Sequence, residues 1–156
     1  MHLCLTCGLC CDGTMFESAE VTPEEAARLE GRVNLSADRT RLVQGCRALE
    51  GCKCGVYEDR PAKCRSFSCF LLASLEAGNI TEQEAREGVA EAMSRRDAVA
   101  KLIGDDDPRR ALMAARKLAA EEKASDELKT ALRRLKQLTL LMLMPADEPA
   151  SQEKKF

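Results

Sequence analysis

The apolar residues in the second half of the chain recur at every third or fourth position, the spacing of helices that are buried along one face. A first helix is predicted from Thr81 to about Ile103, because Thr81 and Glu84 form a capping box and Gly104 provides a stop. A second helix is predicted over 105–123, where aspartates and a proline at the start suit the positive end of the helix dipole.

A last helix is predicted from Ser125, which can cap it, to Pro145, which ends it. Its apolar face is consistent with two uses: a core within the chain, or a seam that binds a protein partner or a second copy in a homodimer. The face comprises Leu128, Leu132, Leu135, Leu138 and Met142. The polar residues 146–156 are predicted to be a disordered tail.

The first half of the chain has only short periodic segments. A helix is predicted from Thr22 to about Gly31, with Thr22 and Glu25 in a capping box, and another from Phe70 to about Gly78. The residues that follow the first of these helices show no clean period, and they are interpreted as loop or short strands.

These patterns predict a mostly α fold. A small irregular cysteine-rich module is expected over 1–78, followed by a helical C-terminal region over 79–145 in a hairpin or bundle, and then the tail. With 156 residues, 45% of them apolar and 32% charged, the chain has the composition of a soluble globular protein. Aromatic residues are only 3% of the chain, so the core is expected to be aliphatic.

The charge and hydropathy of the chain argue against two classes of partner. A net charge of −2 provides no general attraction to nucleic acid. The apolar stretch Leu140–Met144 is far too short to span a bilayer, so no membrane association is expected. Because no export signal is visible at the start, we expect a cytoplasmic protein.

All nine cysteines lie between positions 4 and 69, and their odd number in a cytosolic chain argues against a disulfide framework. Thiols crowded into one turn-sized loop suit a soft cation, whereas cysteines that fill a core are spread over several elements. The spacing C-x2-C-x2-C matches the first three ligands of a bacterial-ferredoxin cluster loop, without its fourth. The loop contains Cys4, Cys7, Cys10 and Cys11.

The remaining thiols form a second group, and the two groups together suffice for two tetrathiolate sites with one thiol to spare. Adjacent Cys10 and Cys11 point in different directions, so either they serve different metals or one stays outside the coordination shell. The second group consists of Cys46, Cys52, Cys54, Cys64 and Cys69.

Basic residues outnumber acids by seven to three over 39–65, and cations there would offset the negative charge of a thiolate centre. The alternative is an ordinary solvated basic face. Arg60 and Arg65 flank Cys64 and are therefore the stronger candidates. His2 is the only histidine, so Cys–His nucleophilic catalysis is not expected, and whether the protein is an enzyme is left open.

The chain resembles the CxxCxxCC family of zinc- or iron-chelating proteins, also called YkgJ-type cysteine-cluster proteins. The likeness covers roughly 4–70 and rests on the first cysteine loop and on Cys46…Cys54-Gly-Val-Tyr57-x2-Arg60-Pro61-x2-Cys64-Arg65-x-Phe67. It implies that Cys54, three residues before the tyrosine, is a ligand and that Cys52 is an addition of this chain. A similar region opens the flagellin lysine methylases, where an iron–sulfur cluster is implicated. Tyr57 itself is interpreted as a packed ring with its hydroxyl bonded.

The resulting hypothesis is a cytosolic protein that carries an iron–sulfur cluster, zinc or both, at one site or two, with a redox-related role if a cluster is present. The alternative is a zinc-stabilised structural or protein-interaction module without catalytic activity. The predicted metal ligands are Cys4, Cys7, Cys10, Cys11, Cys46, Cys54, Cys64 and Cys69.

Overall fold

The structure is a computed structural model in which residues 3–144 are described. Short helices and strands make up its first half. Ala19 lies opposite Leu42 in the antiparallel β1–β2 pair, and Leu49 lies opposite Cys54 in the β3–β4 hairpin. The elements are a 3-10 turn (Leu3–Thr6), β1 (Ser18–Glu20), α1 (Pro23–Arg28), β2 (Arg41–Val43), β3 (Leu49–Glu50), β4 (Lys53–Cys54), a second 3-10 turn (Tyr57–Asp59), α2 (Ala62–Ser66) and α3 (Phe70–Glu76).

The second half consists of three longer helices, and the predicted mostly α fold is confirmed. They are α4 (Glu82–Ile103), α5 (Pro108–Ala120) and α6 (Asp126–Met142). Each begins at a side-chain cap. The Thr81 hydroxyl accepts the N–H of Glu84 at 3.2 Å, and the Ser125 hydroxyl accepts the N–H of Leu128 at 3.2 Å. The Asp107 carboxylate caps α5 by accepting the N–H of Arg109 at 2.9 Å.

The predicted helix ends are right for α4 and too late for α5. Gly104 follows α4 in the left-handed conformation at φ 77° and stops the helix. α5 ends at Ala120, three residues before the predicted end, because Glu122 adopts φ 57° and turns the chain towards α6. Pro145 and the predicted disordered tail 146–156 lie outside the described residues. None of the helices within residues 3–144 combines the length and apolarity needed to cross a bilayer.

The apolar face of α6 packs against the chain's own helices. Leu128 and Leu135 are 4% and 3% exposed, and they share a core with Val99 of α4 and Leu112 of α5. Burial of a leucine side chain contributes about 1.5–3 kcal/mol, so these contacts fasten the three helices into a bundle. Of the two predicted uses of this face, the core is the one found. Binding of a protein partner through this helix stays a prediction.

The two halves share apolar clusters. Leu3 and Leu72 from the first half pack with Ala85 and Val89 of α4. α3 lies so close to α4 that a Cβ added at Gly88 would come within 2.9 Å of the Leu71 side chain. Met142, at the end of α6, reaches a further cluster with Leu9 and Met15. The cysteine-rich region therefore folds directly onto the helical bundle.

The Glu25 carboxylate joins α1 to α2 and makes the stability of this region depend on pH. It accepts the N–H of Thr22 at 3.0 Å and the N–H of Ala62 at 2.7 Å, and these two bonds hold its pKa below the ordinary value of 4.5. A carboxyl with a lowered folded-state pKa stabilises the fold above its unfolded pKa and loses that contribution as the pH falls through its folded pKa.

Glu25→Gln is therefore expected to lower the free energy of unfolding by about 1 kcal/mol at pH 7, because the amide oxygen still accepts hydrogen bonds but without the added strength of the charge. The difference from the wild type should shrink as the pH falls below about 4.5, where the unfolded carboxyl takes up its proton, and should be lost below the lower folded-state pKa. Urea denaturation of the wild type and the variant at pH 7 and pH 4 measures the difference in the free energy of unfolding at each pH. Glu84→Gln, in the exposed capping box of α4, is the matched control, and an equal loss from both would show that the bridge to Ala62 contributes nothing.

Candidate metal centre

The first cysteine loop is anchored by two leucines whose side chains point into the core. Leu3 is 6% exposed and Leu9 is fully buried, so the residues between and beside them are held at the surface of the bundle. Gly8 turns the loop at φ 69°, a conformation that costs other residues about 1–2 kcal/mol. Its carbonyl accepts the N–H of Cys11 at 2.9 Å and of Asp12 at 3.0 Å, which closes the loop on itself.

The β3–β4 hairpin, which was not predicted, covers this loop. Its turn carries Gly51 at φ 60° and then Cys52, and a Cβ added at Gly8 would lie 3.4 Å from the Cα of Cys52. The Leu49 side chain lies 3.6 Å from the same position. The close approach of the two backbones explains why glycine suits position 8 on both conformational and steric grounds.

The cysteines surround one cavity of about 560 Å³. Of the eight predicted ligands, seven line it; the eighth, Cys46, is 5% exposed and is not among its lining residues. Cys52, the predicted spare, also lines the cavity, so lining alone does not separate ligands from the spare. The lining cysteines are Cys4, Cys7, Cys10, Cys11, Cys52, Cys54, Cys64 and Cys69.

Four of the thiols lie on the side of the cavity that faces α3 and α4. Cys7 and Cys69 pack against the same apolar cluster, and Cys7 and Cys10 pack together against the cluster around Leu9. The N–H of Cys7 donates to the carbonyl of Cys4 at 3.4 Å. We call this group, Cys4, Cys7, Cys10 and Cys69, the first thiol set.

The other four predicted ligands lie towards α1 and the β-hairpin. The N–H of Cys46 donates to the carbonyl of Cys11 at 2.7 Å, and both residues pack with Cys54 against the cluster that contains Leu29 and Val56. Cys64 enters from α2, whose first residues are held by the Glu25 carboxylate. We call this group, Cys11, Cys46, Cys54 and Cys64, the second thiol set.

The pKa values of Cys4, Cys7 and Cys10 in the first thiol set are raised, which keeps these three thiols protonated in the absence of a cation. Burial raises the pKa of Cys7 to about 12; the N–H of Leu9 opposes the rise, and the charges of Cys69 and Cys4 add to it. Burial also raises the pKa of Cys10, and Cys7 and the adjacent Cys11 add to this rise. Partial desolvation and Cys69 raise the pKa of Cys4.

In the second thiol set, the pKa values of Cys11, Cys46 and Cys64 are raised by burial and by neighbouring thiols of the same set. Burial raises the pKa of Cys11 to about 12, and the charges of Cys46, Cys54 and Cys64 add to the rise. Burial raises the pKa of Cys64 to about 11, with further contributions from Cys46 and Cys54. The thiols with raised pKa values therefore resist becoming thiolates together, because the thiolates would repel one another in a desolvated environment.

The donor chemistry of the two sets fits a soft cation. Four thiolates around zinc or around an iron–sulfur cluster satisfy the usual ligand number, and the positive charge of the metal removes the repulsion described above. Within residues 3–144, no three side chains of cysteine, histidine or carboxylic acids already stand together at the spacing of a metal-ligand group. Metal binding would therefore involve reorientation of the thiols towards a common point.

Two arginines place positive charge beside the thiols. The Arg60 guanidinium acts on both sets, since it lowers the pKa of Cys4 and of Cys64 against the larger effect of burial. It is held 3.8 Å from the centre of the Tyr57 ring. The prediction of a packed Tyr57 is wrong, because this ring is 41% exposed and serves as a platform for Arg60.

The second arginine, Arg109, comes from α5 and could not be found from the sequence. It lowers the pKa of Cys46, although burial of that thiol and Cys54 raise it. The Arg109 side chain runs along the backbone at Gly45, where an added Cβ would lie 2.9 Å from the Arg109 Cβ. The helical half therefore takes part in the electrostatics of the second thiol set.

A buried ion pair connects the cysteine loop to α4. One oxygen of Asp12 accepts the N–H of Thr14 at 2.7 Å, and the other accepts from Arg96 at 2.8 Å. The side chains of Asp12 and Arg96 are 6% and 14% exposed. Since Asp12 follows Cys11 directly, this pair holds the carboxyl end of the loop in place.

The family comparison agrees with the chemistry of these residues. The family model CxxCxxCC, described as "Putative zinc- or iron-chelating domain", matches residues 3–92, and the chain belongs to this family. The resemblance found in the sequence is thereby confirmed, and the matched region extends beyond it into α4. Comparisons with curated proteins and with solved structures found no match.

Proposed function

We propose that this is a cytosolic metal-binding protein whose clustered cysteines carry an iron–sulfur cluster, zinc or both, and that its role is redox-related when the cluster is bound. The observation that supports the proposal is the convergence of thiols from separate chain segments. The first loop, the β-hairpin, α2 and the residue before α3 all contribute cysteines to the wall of one cavity. The zinc- or iron-chelating family is consistent with this donor set.

The residues of this chain would perform three tasks at such a centre. The cysteines would hold the metal, and Arg60 and Arg109 would offset the negative charge of the thiolates. The buried side chains of Leu3 and Leu9 would exclude water from the side of the centre that faces the core. A bound cluster supplies electron transfer, whereas bound zinc supplies structure. The C-x2-C-x2-C spacing and the number of thiols favour the cluster.

The alternative is a zinc-stabilised module that binds a protein partner and catalyses nothing. It is favoured by Leu140 and Leu141 of α6, which are 52% and 57% exposed and lie on the side of the helix away from Leu128 and Leu135. This exposed side, and not the buried face of α6, is the surface that a partner or a second copy could use.

Anaerobic purification followed by iron, zinc and acid-labile sulfide analysis tests the proposal. We expect iron and sulfide in the purified protein, together with broad visible absorption from sulfur-to-iron charge transfer. A colourless protein with stoichiometric zinc and neither iron nor sulfide would support the alternative and contradict a redox role. A protein that takes up neither metal after reconstitution with each would contradict metal binding itself.

A further inference from the structure

We propose that the chain forms two separate tetrathiolate metal sites, one in each thiol set, which are linked by the peptide between Cys10 and Cys11. This inference rests on the proposed function, that the cysteines bind metal, and it assigns their ligands. The first site takes Cys4, Cys7, Cys10 and Cys69, and the second takes Cys11, Cys46, Cys54 and Cys64. Cys52 belongs to neither.

The packing of the thiols divides them in this way. Cys7 shares one apolar cluster with Cys69 and another with Cys10, whereas Cys11 and Cys54 pack with Cys46 against a third cluster. None of the three clusters contains thiols from both sets. The charge interactions among the thiols follow the same division, apart from the contact of the adjacent Cys10 and Cys11.

The backbone explains how neighbouring residues come to serve different sites. The Gly8 carbonyl accepts the N–H of Cys11, so the chain makes a tight turn just before the two cysteines. Cys10 then packs with the residues around Leu9, and the carbonyl of Cys11 receives the N–H of Cys46 from the opposite side. A single four-ligand site would leave four of the eight predicted ligands without a cation.

Cys46 provides the most specific part of the assignment, because it does not line the cavity whereas Cys52 does. We assign Cys46 to the second site because its backbone is bonded to Cys11 at 2.7 Å and its side chain packs in the same cluster as Cys11 and Cys54. Cys52 contacts the first loop at Gly8, through its backbone and Cβ.

Anaerobic titration of the metal-free full chain with Co²⁺ tests the assignment, because thiolate-to-cobalt charge transfer and the tetrahedral cobalt bands report each filled site. The wild type is expected to bind two Co²⁺ per chain, counted independently by native mass spectrometry. Cys10→Ser and Cys11→Ser should each bind one. The double variant Cys10→Ser/Cys69→Ser, altered within one set, should still bind one, whereas Cys10→Ser/Cys64→Ser, altered in both sets, should bind none.

The variants also separate this inference from the proposed function. A wild-type chain that binds no Co²⁺ would overturn the proposed function and the inference together, whereas one that binds a single Co²⁺ would overturn the inference alone. Equal cobalt counts in the two double variants would also overturn it. Cys46→Ser should bind one Co²⁺ and Cys52→Ser two, and the reverse result would contradict the assigned ligands. The far-UV signal of the helices verifies that each variant is folded.

Discussion

Cys7→Ser is expected to remove the metal from the first thiol set and, with it, much of the ordered structure of the N-terminal region. Serine oxygen is a poor ligand for a soft metal, and binding energy at thiolate sites is also folding energy. A site held at a free metal concentration of about 1,000 times its Kd stabilises the fold by about 4 kcal/mol. Cys7 also packs into two of the apolar clusters that join the loop to α4.

Cys52→Ser is the matched control, since Cys52 lines the same cavity but lies outside both thiol sets. It is expected to retain its metal and to unfold at nearly the wild-type denaturant concentration. Metal analysis and urea denaturation in parallel, with hydrogen exchange over the first loop, compare the two variants. Equal metal loss from both would show that Cys52 is a ligand.

Arg96→Met is expected to lower the free energy of unfolding by about 3–5 kcal/mol, because it leaves the buried Asp12 carboxylate without its cation. Methionine keeps much of the length of the arginine stem, so the change isolates the charge. Urea denaturation of the chain at neutral pH measures the loss.

Two further variants identify the cause of that loss. Arg86→Met breaks an ion pair in which Arg86 is 43% exposed and Glu82 is 55% exposed. This change should lower the free energy of unfolding by about 0.5 kcal/mol or less. Adding Asp12→Asn to Arg96→Met should recover part of the stability, because a neutral amide is less costly to bury than an unpaired charge. If Arg96→Met costs no more than Arg86→Met, the buried pair does not secure the loop.

The predictions that the structure confirms are those that depend on residues close together in the chain. The capping boxes at Thr22 and Thr81 and the cap at Ser125 each involve a bond to the residue three positions later, so the pattern of side chains contains the whole interaction. The α5 end was missed for a local reason too, since the positive φ at Glu122 has no glycine to signal it.

The candidate site required the tertiary structure, because its contacts are long-range. Asp12 and Arg96 are 84 positions apart, and no local pattern could pair them. The same holds for Arg109 beside Cys46, and for the exposed Tyr57 that was expected to be packed. The pair between Arg86 and Glu82 is solvated instead, so packing decides which charges are buried.

The cysteine spacing of the first loop was enough to predict a soft-metal centre and its family, because thiols crowded into a turn have few other uses. The periodicity of the second half was likewise enough to predict its helices. Which thiols face one another was decided by the tertiary structure. The bonding of Cys46 to Cys11 and the packing of Cys69 with Cys7 bring distant segments together, and burial of apolar residues from both halves provides the free energy that holds them there.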